Sequence, residues 1–162
     1  MGGINHVTMC GIVGIIHRDP DRVADEALLA RMTGLVEARG PDGRGLWRCA
    51  PAALGFRRLA IIGGQGGGQP LLNETGRVAL VCNGEIYNHR DLRRRLEALG
   101  HRFAGTSDAE VIVHGYEEWG MDVATHLRGM FAFGLWDGDR RRLVLARDRF
   151  GKKPLFHAIV RR

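Results

Sequence analysis

Cys10 is the residue of this sequence best suited to act as a nucleophile. A thiolate attacks carbonyl carbon readily, but an ordinary cysteine thiol has a pKa of about 8.5 and needs a base or a positive neighbour to ionise at neutral pH. None of the seven histidines lies in a context typical of cysteine proteases. A free α-amine, with a pKa of about 7.7 to 8.0, could serve as the base if Cys10 began the mature chain. The alternative is a small buried cysteine in a strand.

The pair Asn83-Gly84 directly follows an apolar run and could bind negative charge. The Asn83 amide and the backbone N–H of Gly84 are neutral donors, and a tetrahedral oxyanion needs two such donors that converge. Losing one donor of this kind typically costs about 100- to 1000-fold in rate. The alternative is that Asn-Gly only forms a turn.

The glycine-rich stretch 63–70, "GGQGGGQP", could suggest a phosphate-binding loop. It matches neither the P-loop pattern nor a dinucleotide-binding pattern that follows a strand and opens a helix. A flexible loop over a site is the better interpretation of this stretch.

Composition favours one globular domain, because 44% of the 162 residues are hydrophobic and 26% are charged. No apolar run is long enough to span a bilayer and no secretory signal is visible, so we expect a cytoplasmic protein without membrane contact. Three cysteines at irregular spacings fit neither a disulfide framework nor paired metal ligands, so no metal site is expected.

The net charge of +6 raises the alternative of a nucleic-acid-binding module. The basic residues fall mainly in 89–102 and 137–143, which we interpret as a helix face and a hairpin tip. They form no stripe interleaved with exposed aromatic residues, so a solvated surface is favoured and no nucleic-acid partner is expected.

The candidate residues must be positioned by strands, since apolar and β-branched runs surround them. Strands are predicted at 10–16, 45–50, 52–62, 76–84 and 154–160, and a hairpin at 129–151 with Asp137-Gly138 at its turn. Strand-rich order with adjacent helices in the middle predicts antiparallel sheets with segregated helices.

Three helices are predicted from apolar periodicity and end signals. The first covers 25–40, the second follows an Asn88 cap and ends at Gly100, and the third opens at Ser107 with a Ser-x-x-Glu capping box. The residues expected to face the core are Leu28, Leu29, Met32, Leu35 and Val36 in the first helix, Leu92, Leu96 and Leu99 in the second, and Val111, Ile112, Tyr116 and Trp119 in the third.

Eight short motifs in one order resemble the class II, N-terminal-nucleophile type of glutamine amidotransferase domain, and within it the asparagine synthetase family. They cover nearly the whole chain after Thr8, and each is weak by itself, whereas the ordered set is specific. The motifs are "MCGIVG" (9–14), "RGPDGRG" (39–45), "RRLAII" (57–62), "QPL" (69–71), "NGEIYN" (83–88), "SDAEVI" (107–112), "GMFAF" (129–133) and "RDRFGKKPLF" (147–156).

The resemblance implies an α+β fold, a four-layer αββα sandwich of antiparallel sheets of the Ntn-hydrolase type. It implies that Cys10 attacks the side-chain amide of L-glutamine while its own α-amine carries the proton, so that ammonia and a thioester form and water releases glutamate. Asn83 and the N–H of Gly84 would hold the oxyanion.

The resemblance also implies a set of substrate-binding residues. Arg58 would bind the substrate carboxylate through its planar two-donor fork, and Asp108 and Glu85 would bind the α-ammonium. Backbone groups around three further residues would line the pocket: Leu59, Ile61 and Ile62.

The ends of the chain are interpreted through the same resemblance. Residues 1–9 are expected to be an extension, either a misassigned start or a cleaved propeptide, and 10–162 the amidotransferase domain without its last strands. The ATP- and magnesium-dependent synthetase domain of the family is not recognised here, so no cofactor is expected in this chain, and the ammonia would pass to a synthetase domain or subunit. The family pattern is altered at Ala38, Phe56, Ala60 and Gly63, which affects packing around the site more than the substrate contacts.

Two alternatives to the asparagine synthetase-like glutaminase remain open at this point. One is a non-catalytic, truncated glutamine-binding remnant whose Cys10 is blocked by the preceding residues. The other is the glutaminase domain of another class II amidotransferase.

Overall fold

Residues 9–60 and 68–160 are described by a computed structural model. Three strands form the first sheet: β1 (Gly11–Ile16), β2 (Gly43–Cys49) and β3 (Ala52–Arg58). Their order is β1-β3-β2, and both pairs are antiparallel. The central strand β3 therefore lies next to the strand that follows Cys10.

The second sheet has the order β4-β5-β6-β7 and is also antiparallel. Its strands are β4 (Leu71–Leu72), β5 (Val78–Ile86), β6 (Gly129–Asp137) and β7 (Arg142–Arg147). The central strands β5 and β6 are the longest, and β5 carries Asn83 and Gly84 near its end.

The helices are α1 (Glu26–Leu35), α2 (His89–Ala98), α3 (Glu110–Trp119) and the short α4 (Val123–His126). Two 3-10 turns lie at Glu37–Arg39 and Gly120–Asp122. No helix among these described elements has the length and apolar character needed to cross a membrane.

Alternation along the strands divides the core into three layers of side chains. Val78, Leu80 and Cys82 of β5 pack against α2 and α3, whereas Ala79 and Val81 of the same strand pack against the first sheet. On the other side of the first sheet, α1 packs through Leu29 against Ala53 of β3. The order of layers is α1, first sheet, second sheet, then α2 and α3, which confirms the αββα sandwich of antiparallel sheets.

Several details of the sequence-based prediction are wrong. Leu28, Leu35 and Leu99 were expected in the core but are exposed, because α1 and α2 contact their sheets through narrower stripes. Residues 154–160 form no strand, and Phe156 is 90% exposed.

The predicted helix caps also differ from the structure. α3 begins at Glu110, three residues after Ser107, and its Glu110 carboxylate accepts N–H bonds from Ala104 and Gly105 instead of closing a capping box. The Asn88 side chain does not cap α2; it bonds the backbone after α4.

Candidate functional site

Cys10 lies directly before β1 and packs against the core between the two sheets. Its sulfur accepts a hydrogen bond from the backbone N–H of Leu59 at 3.4 Å, and Leu59 follows the end of β3. β1 and β3 are antiparallel, with Gly11 opposite Arg57. The start of β1 and the end of β3 therefore lie side by side. The Leu59 backbone thus positions the Cys10 sulfur at this end of the two strands.

A cavity of about 390 Å³ opens beside the Cys10 sulfur. It lies between the end of β3, the end of β5 and the loop before α3, so that both sheets contribute to its wall. The residues that line it are Cys10, Phe56, Arg58, Leu59, Gln69, Cys82, Gly84, His89, Thr106, Ser107 and Asp108. A volume of this size accommodates a small amino acid.

The two arginines at the end of β3 have different surroundings. Arg57 faces α1, where its guanidinium forms an ion pair with Glu37 at 2.6 Å and donates to the Thr33 carbonyl. Arg58, the next residue on the strand, lines the cavity. Strand alternation therefore singles out Arg58 as the arginine that can reach a bound anion.

Asp42 fixes the chain around Arg58. The Asp42 N–H donates to the Arg58 carbonyl at 3.0 Å, and the Asp42 carboxylate accepts the Ala60 N–H at 2.8 Å. Gly40 lies so close to this strand that a Cβ there would be 2.6 Å from the Arg57 backbone. Gly40 and Asp42 of the motif "RGPDG" thus fix the position of the segment that contains Arg58 and Leu59.

The end of β5 brings Asn83 and Gly84 to the site. Gly84 lines the cavity, and Asn83 is buried beside it, opposite Ala132 of β6. A Cβ at Gly84 would lie 2.1 Å from the Met130 carbonyl oxygen, so the close approach of β6 requires glycine here.

Gln69 acts like an additional strand partner of β5. Its side-chain carbonyl accepts the Cys82 N–H at 2.6 Å, and its amide donates to the Cys82 carbonyl at 3.1 Å. Its backbone passes over β2 at Gly45, where a Cβ would lie 1.7 Å from the Gln69 oxygen. Gln69 therefore holds the strand segment immediately before Asn83.

The two predicted ammonium-binding carboxylates differ in position. Asp108 lines the cavity, and one of its oxygens accepts the Ile86 N–H at 2.6 Å. Glu85 follows Gly84 on β5 and is exposed.

Cys82 is a second thiol that lines the cavity. Burial raises its pKa, and the nearby Asp108 and Cys10 raise it further. Cys82 is therefore a neutral thiol at physiological pH, and Cys10 remains the candidate nucleophile of the two.

The loop after β7, with Asp148 buried at its start, supports β6 beside the site. The Asp148 carboxylate accepts backbone N–H bonds from Phe131, Phe150, Lys152 and Lys153 at 3.0 to 3.3 Å. Phe131 is the partner of Gly84 in the sheet, so this loop stabilises the strand that packs against Gly84.

Most of the predicted site residues lie around one cavity, whereas three residues that position the site were not predicted from the sequence. Cys10, Arg58, Leu59, Gly84 and Asp108 share one cavity. Ile61 and Ile62 lie outside the described residues. Sequence reasoning missed the positioning residues Asp42, Gln69 and Asp148, although each belongs to a motif that carried the resemblance.

Comparisons with known proteins agree with this arrangement. The glutamine-hydrolyzing asparagine synthetase 3 of Bacillus subtilis (strain 168) is 42% identical over 151 residues, which are 92% of this chain and 25% of that protein. The glutamine-hydrolyzing asparagine synthetase 1 of Arabidopsis thaliana is 39% identical over 91% of this chain and 25% of its own length. The chain thus spans about a quarter of the curated relatives it matches.

A solved structure has a similar fold. The glutamine phosphoribosylpyrophosphate amidotransferase from B. subtilis superposes with a TM-score of 0.50 and 27% identity, over 61% of this chain and 23% of that one. The family profile of the glutamine amidotransferase domain matches residues 9–161. Because that match covers nearly the whole chain and the motifs converge on one cavity, the chain belongs to the glutamine amidotransferase domain family, and its curated relatives are asparagine synthetases.

Proposed function

We propose that this chain hydrolyses L-glutamine to glutamate and ammonia, with Cys10 as the nucleophile. The observation that carries the proposal is the position of the Cys10 sulfur: it accepts the Leu59 N–H at the mouth of a cavity that also contains Arg58, Gly84 and Asp108. A cation and an anion in one small cavity suit a substrate that has both a carboxylate and an ammonium group.

The first half of the reaction forms a thioester. The Cys10 sulfur attacks the side-chain amide carbon of glutamine, and the thiol proton passes to the α-amine of Cys10. The tetrahedral intermediate then collapses by breaking its C–N bond, and the amine returns the proton to the departing ammonia. Water attacks the thioester in the second half, which releases glutamate and restores the thiol.

The oxyanion of both halves is assigned to the end of β5. Gly84 lines the cavity, so we assign its N–H as one donor, and we assign the amide of Asn83, buried on the same strand, as the second. The contacts of Gln69 with Cys82 and of β6 with Gly84 fix this backbone before substrate binds. Donors that are already oriented stabilise developing charge without reorganisation.

Substrate orientation is assigned to charged residues at the ends of β3 and β5 and in the loop before α3. Arg58 binds the α-carboxylate, while Asp108 and Glu85 bind the α-ammonium. Leu59 contributes through its backbone, and a part in substrate binding is assigned to Ile61 and Ile62 on the resemblance alone.

The ammonia acceptor is proposed from the names of the relatives. Those proteins are asparagine synthetases about four times as long as the matched region. We assign the use of ammonia to a synthetase domain or subunit outside these 162 residues, with ATP and magnesium as its cofactors, and we place the reaction in the cytoplasm.

The test compares two forms of the protein, one that begins at Cys10 and one that keeps residues 1–9. We expect ammonia release from glutamine only in the first form, because only there is the α-amine of Cys10 free. In that form, Cys10→Ala should abolish ammonia release while calorimetry still detects glutamine binding. Cys49→Ser is the matched control, since Cys49 is exposed on β2 and should retain activity.

Two outcomes would favour an alternative to the proposed reaction. Hydrolysis by the form that keeps residues 1–9 contradicts the α-amine mechanism. Glutamine binding without hydrolysis in both forms identifies a non-catalytic binding domain instead.

A further inference from the structure

His114 of α3 is buried and has no part in the proposed glutaminase site. Its side chain is 1% exposed, and neither ring nitrogen has a hydrogen-bond partner. A buried polar group without a hydrogen-bond partner destabilises a fold, so such a group in a native protein requires an explanation.

Three glutamates place an oxygen near His114. Its Nδ1 lies 3.3 Å from Oε2 of Glu117 and 3.8 Å from Oε2 of Glu74, and its Nε2 lies 3.9 Å from Oε1 of Glu110. The shortest of these contacts lacks the geometry of a hydrogen bond, so it leaves Nδ1 without a partner. His101 completes the group, with its Nδ1 3.6 Å from the same Glu117 oxygen.

The other atoms of these side chains are held by a surrounding set of bonds. Oε1 of Glu74 accepts the Arg102 N–H at 3.0 Å, and Oε1 of Glu117 accepts the Asn73 amide at 2.7 Å. Nε2 of His101 lies 2.8 Å from a Glu118 oxygen. The Glu118 contact occupies Nε2, so Nδ1 is the ring nitrogen of His101 that faces the cluster.

We propose that Glu74, His101, His114 and Glu117 bind one divalent transition-metal ion of the zinc class. Ligand atoms of the first three lie within 4.8 Å of one another, so small rotamer changes bring them to one ion. Imidazole nitrogen and carboxylate oxygen are ligands that Zn²⁺ prefers, in four-coordinate sites.

The surrounding bonds fit this assignment. A ligating histidine usually donates its second nitrogen to a carboxylate, as His101 does to Glu118. No sequence motif marks this site, because its ligands come from three separate segments. These are the β4–β5 turn, the loop that follows α2, and helix α3 itself.

The metal would join the segment 101–108 to the second sheet. That segment ends in Asp108, which lines the glutaminase cavity, and its Ala104 and Gly105 are held by Glu110 one turn before His114. The inference concerns a second site and does not depend on glutamine hydrolysis.

The test measures metal binding directly on the intact chain. Metal-free protein carrying Cys49→Ser, which removes an exposed thiol that could bind metal, is titrated with Co²⁺ and with Zn²⁺ against a chromophoric chelator. We expect one ion per chain and the visible absorption of four-coordinate Co²⁺. His101→Ala and Glu74→Gln should each weaken affinity at least tenfold.

Two matched controls test the position of the site. His157→Ala and Glu26→Gln remove exposed residues of the same types away from the cluster and should leave affinity unchanged. His114 itself is avoided, because its replacement would disturb the core.

Two results would overturn the proposal. One is affinity in His101→Ala and Glu74→Gln equal to that of the parent. The other is a His114 ring that NMR shows to be protonated at pH 7.5 and that stays so when Zn²⁺ is added.

Discussion

Arg57 and Arg58 are neighbours with identical side chains and different environments. Arg57 is held by Glu37 and the Thr33 carbonyl on the α1 side, while Arg58 lines the glutaminase cavity. Because β3 places consecutive side chains on opposite faces, a single position in the strand separates the arginine that bonds the α1 side from the arginine that lines the cavity.

This pair supports a prediction at the scale of single residues. Arg58→Lys keeps the charge but loses the planar fork, so the KM for glutamine should rise about tenfold to hundredfold, with a smaller change in kcat. Steady-state ammonia release measures both constants.

Arg57→Lys is the matched control. It should leave the KM unchanged and lower the free energy of unfolding by about 1 kcal/mol, since only a partly exposed ion pair and one carbonyl contact are weakened. Equal KM values for the two variants would contradict the assignment of Arg58.

At the scale of elements, the loop after β7 stabilises the strand beside Gly84. Asp148 accepts four backbone N–H bonds and is 4% exposed. Burial raises its pKa, but these donors outweigh burial, so its pKa in the folded protein is lowered.

The lowered pKa of Asp148 predicts a pH-dependent contribution to stability. The ionised carboxylate stabilises the fold fully above the ordinary carboxyl pKa of about 3.9, and this contribution is lost as pH falls through the lowered value. Asp148→Asn should therefore reduce the free energy of unfolding by about 1 to 3 kcal/mol at pH 6, and the difference from the parent should narrow below about pH 4. Urea unfolding at pH 6 and pH 3 measures it.

Asp139→Asn serves as the control for this measurement. Asp139 is exposed and pairs only with the exposed Arg77 among the contacts described, so its loss should change the free energy of unfolding by less than about 0.5 kcal/mol. If Asp148→Asn differed from the parent by the same free energy of unfolding at pH 6 and at pH 3, the role assigned to the ionised carboxylate would be contradicted.

Elements with a clear pattern could be predicted from the sequence, whereas their boundaries and contacts could not. Alternation and turn signals identified the strands that became β1, β3, β5 and the β6–β7 hairpin. The apolar stretch 154–160 has the composition of a strand, but composition does not supply the pairing partner that a strand needs. Its exposed side chains show this difference.

The residues of the candidate site also fall into a group that the sequence predicts and a group that it does not. Cys10 and Gly84 could be predicted because a candidate nucleophile and a candidate oxyanion donor have recognisable residue types. Asp42 and Gln69 act through bonds to the backbone of distant segments, and no local pattern of residue types reveals which backbone groups a side chain will reach.

At the scale of the whole molecule, the site depends on the distance between two sheets. Cys10 and Arg58 lie at one end of the strands of the first sheet, and Gly84 belongs to the second sheet. Small residues such as Ala52 and Ala79 fill part of the layer between the sheets and are fully buried. The separation of Cys10 from Gly84 is therefore set by packing well away from either residue.

Enlarging one of these residues tests that dependence. Ala79→Val adds two methyl groups to the packed layer and should cost about 1 to 3 kcal/mol of stability, while kcat for glutamine hydrolysis falls at least tenfold because the sheets move apart. Activity is measured on protein that circular dichroism shows to be folded. Ala27→Val on the exposed side of α1 is the control and should leave kcat unchanged. A folded Ala79→Val protein with parental kcat would contradict the argument.

The hydrogen bond between Cys10 and Leu59 also has a consequence for synthesis on the ribosome. The two residues are 49 positions apart, so at about 5 to 20 residues per second the cysteine waits several seconds for its donor. The cavity wall needs still more of the chain, because Gly84 and Asp108 follow later. Cys10 belongs to the earliest described part of the molecule to be made, but the cavity around it can form only after most of the domain has been translated.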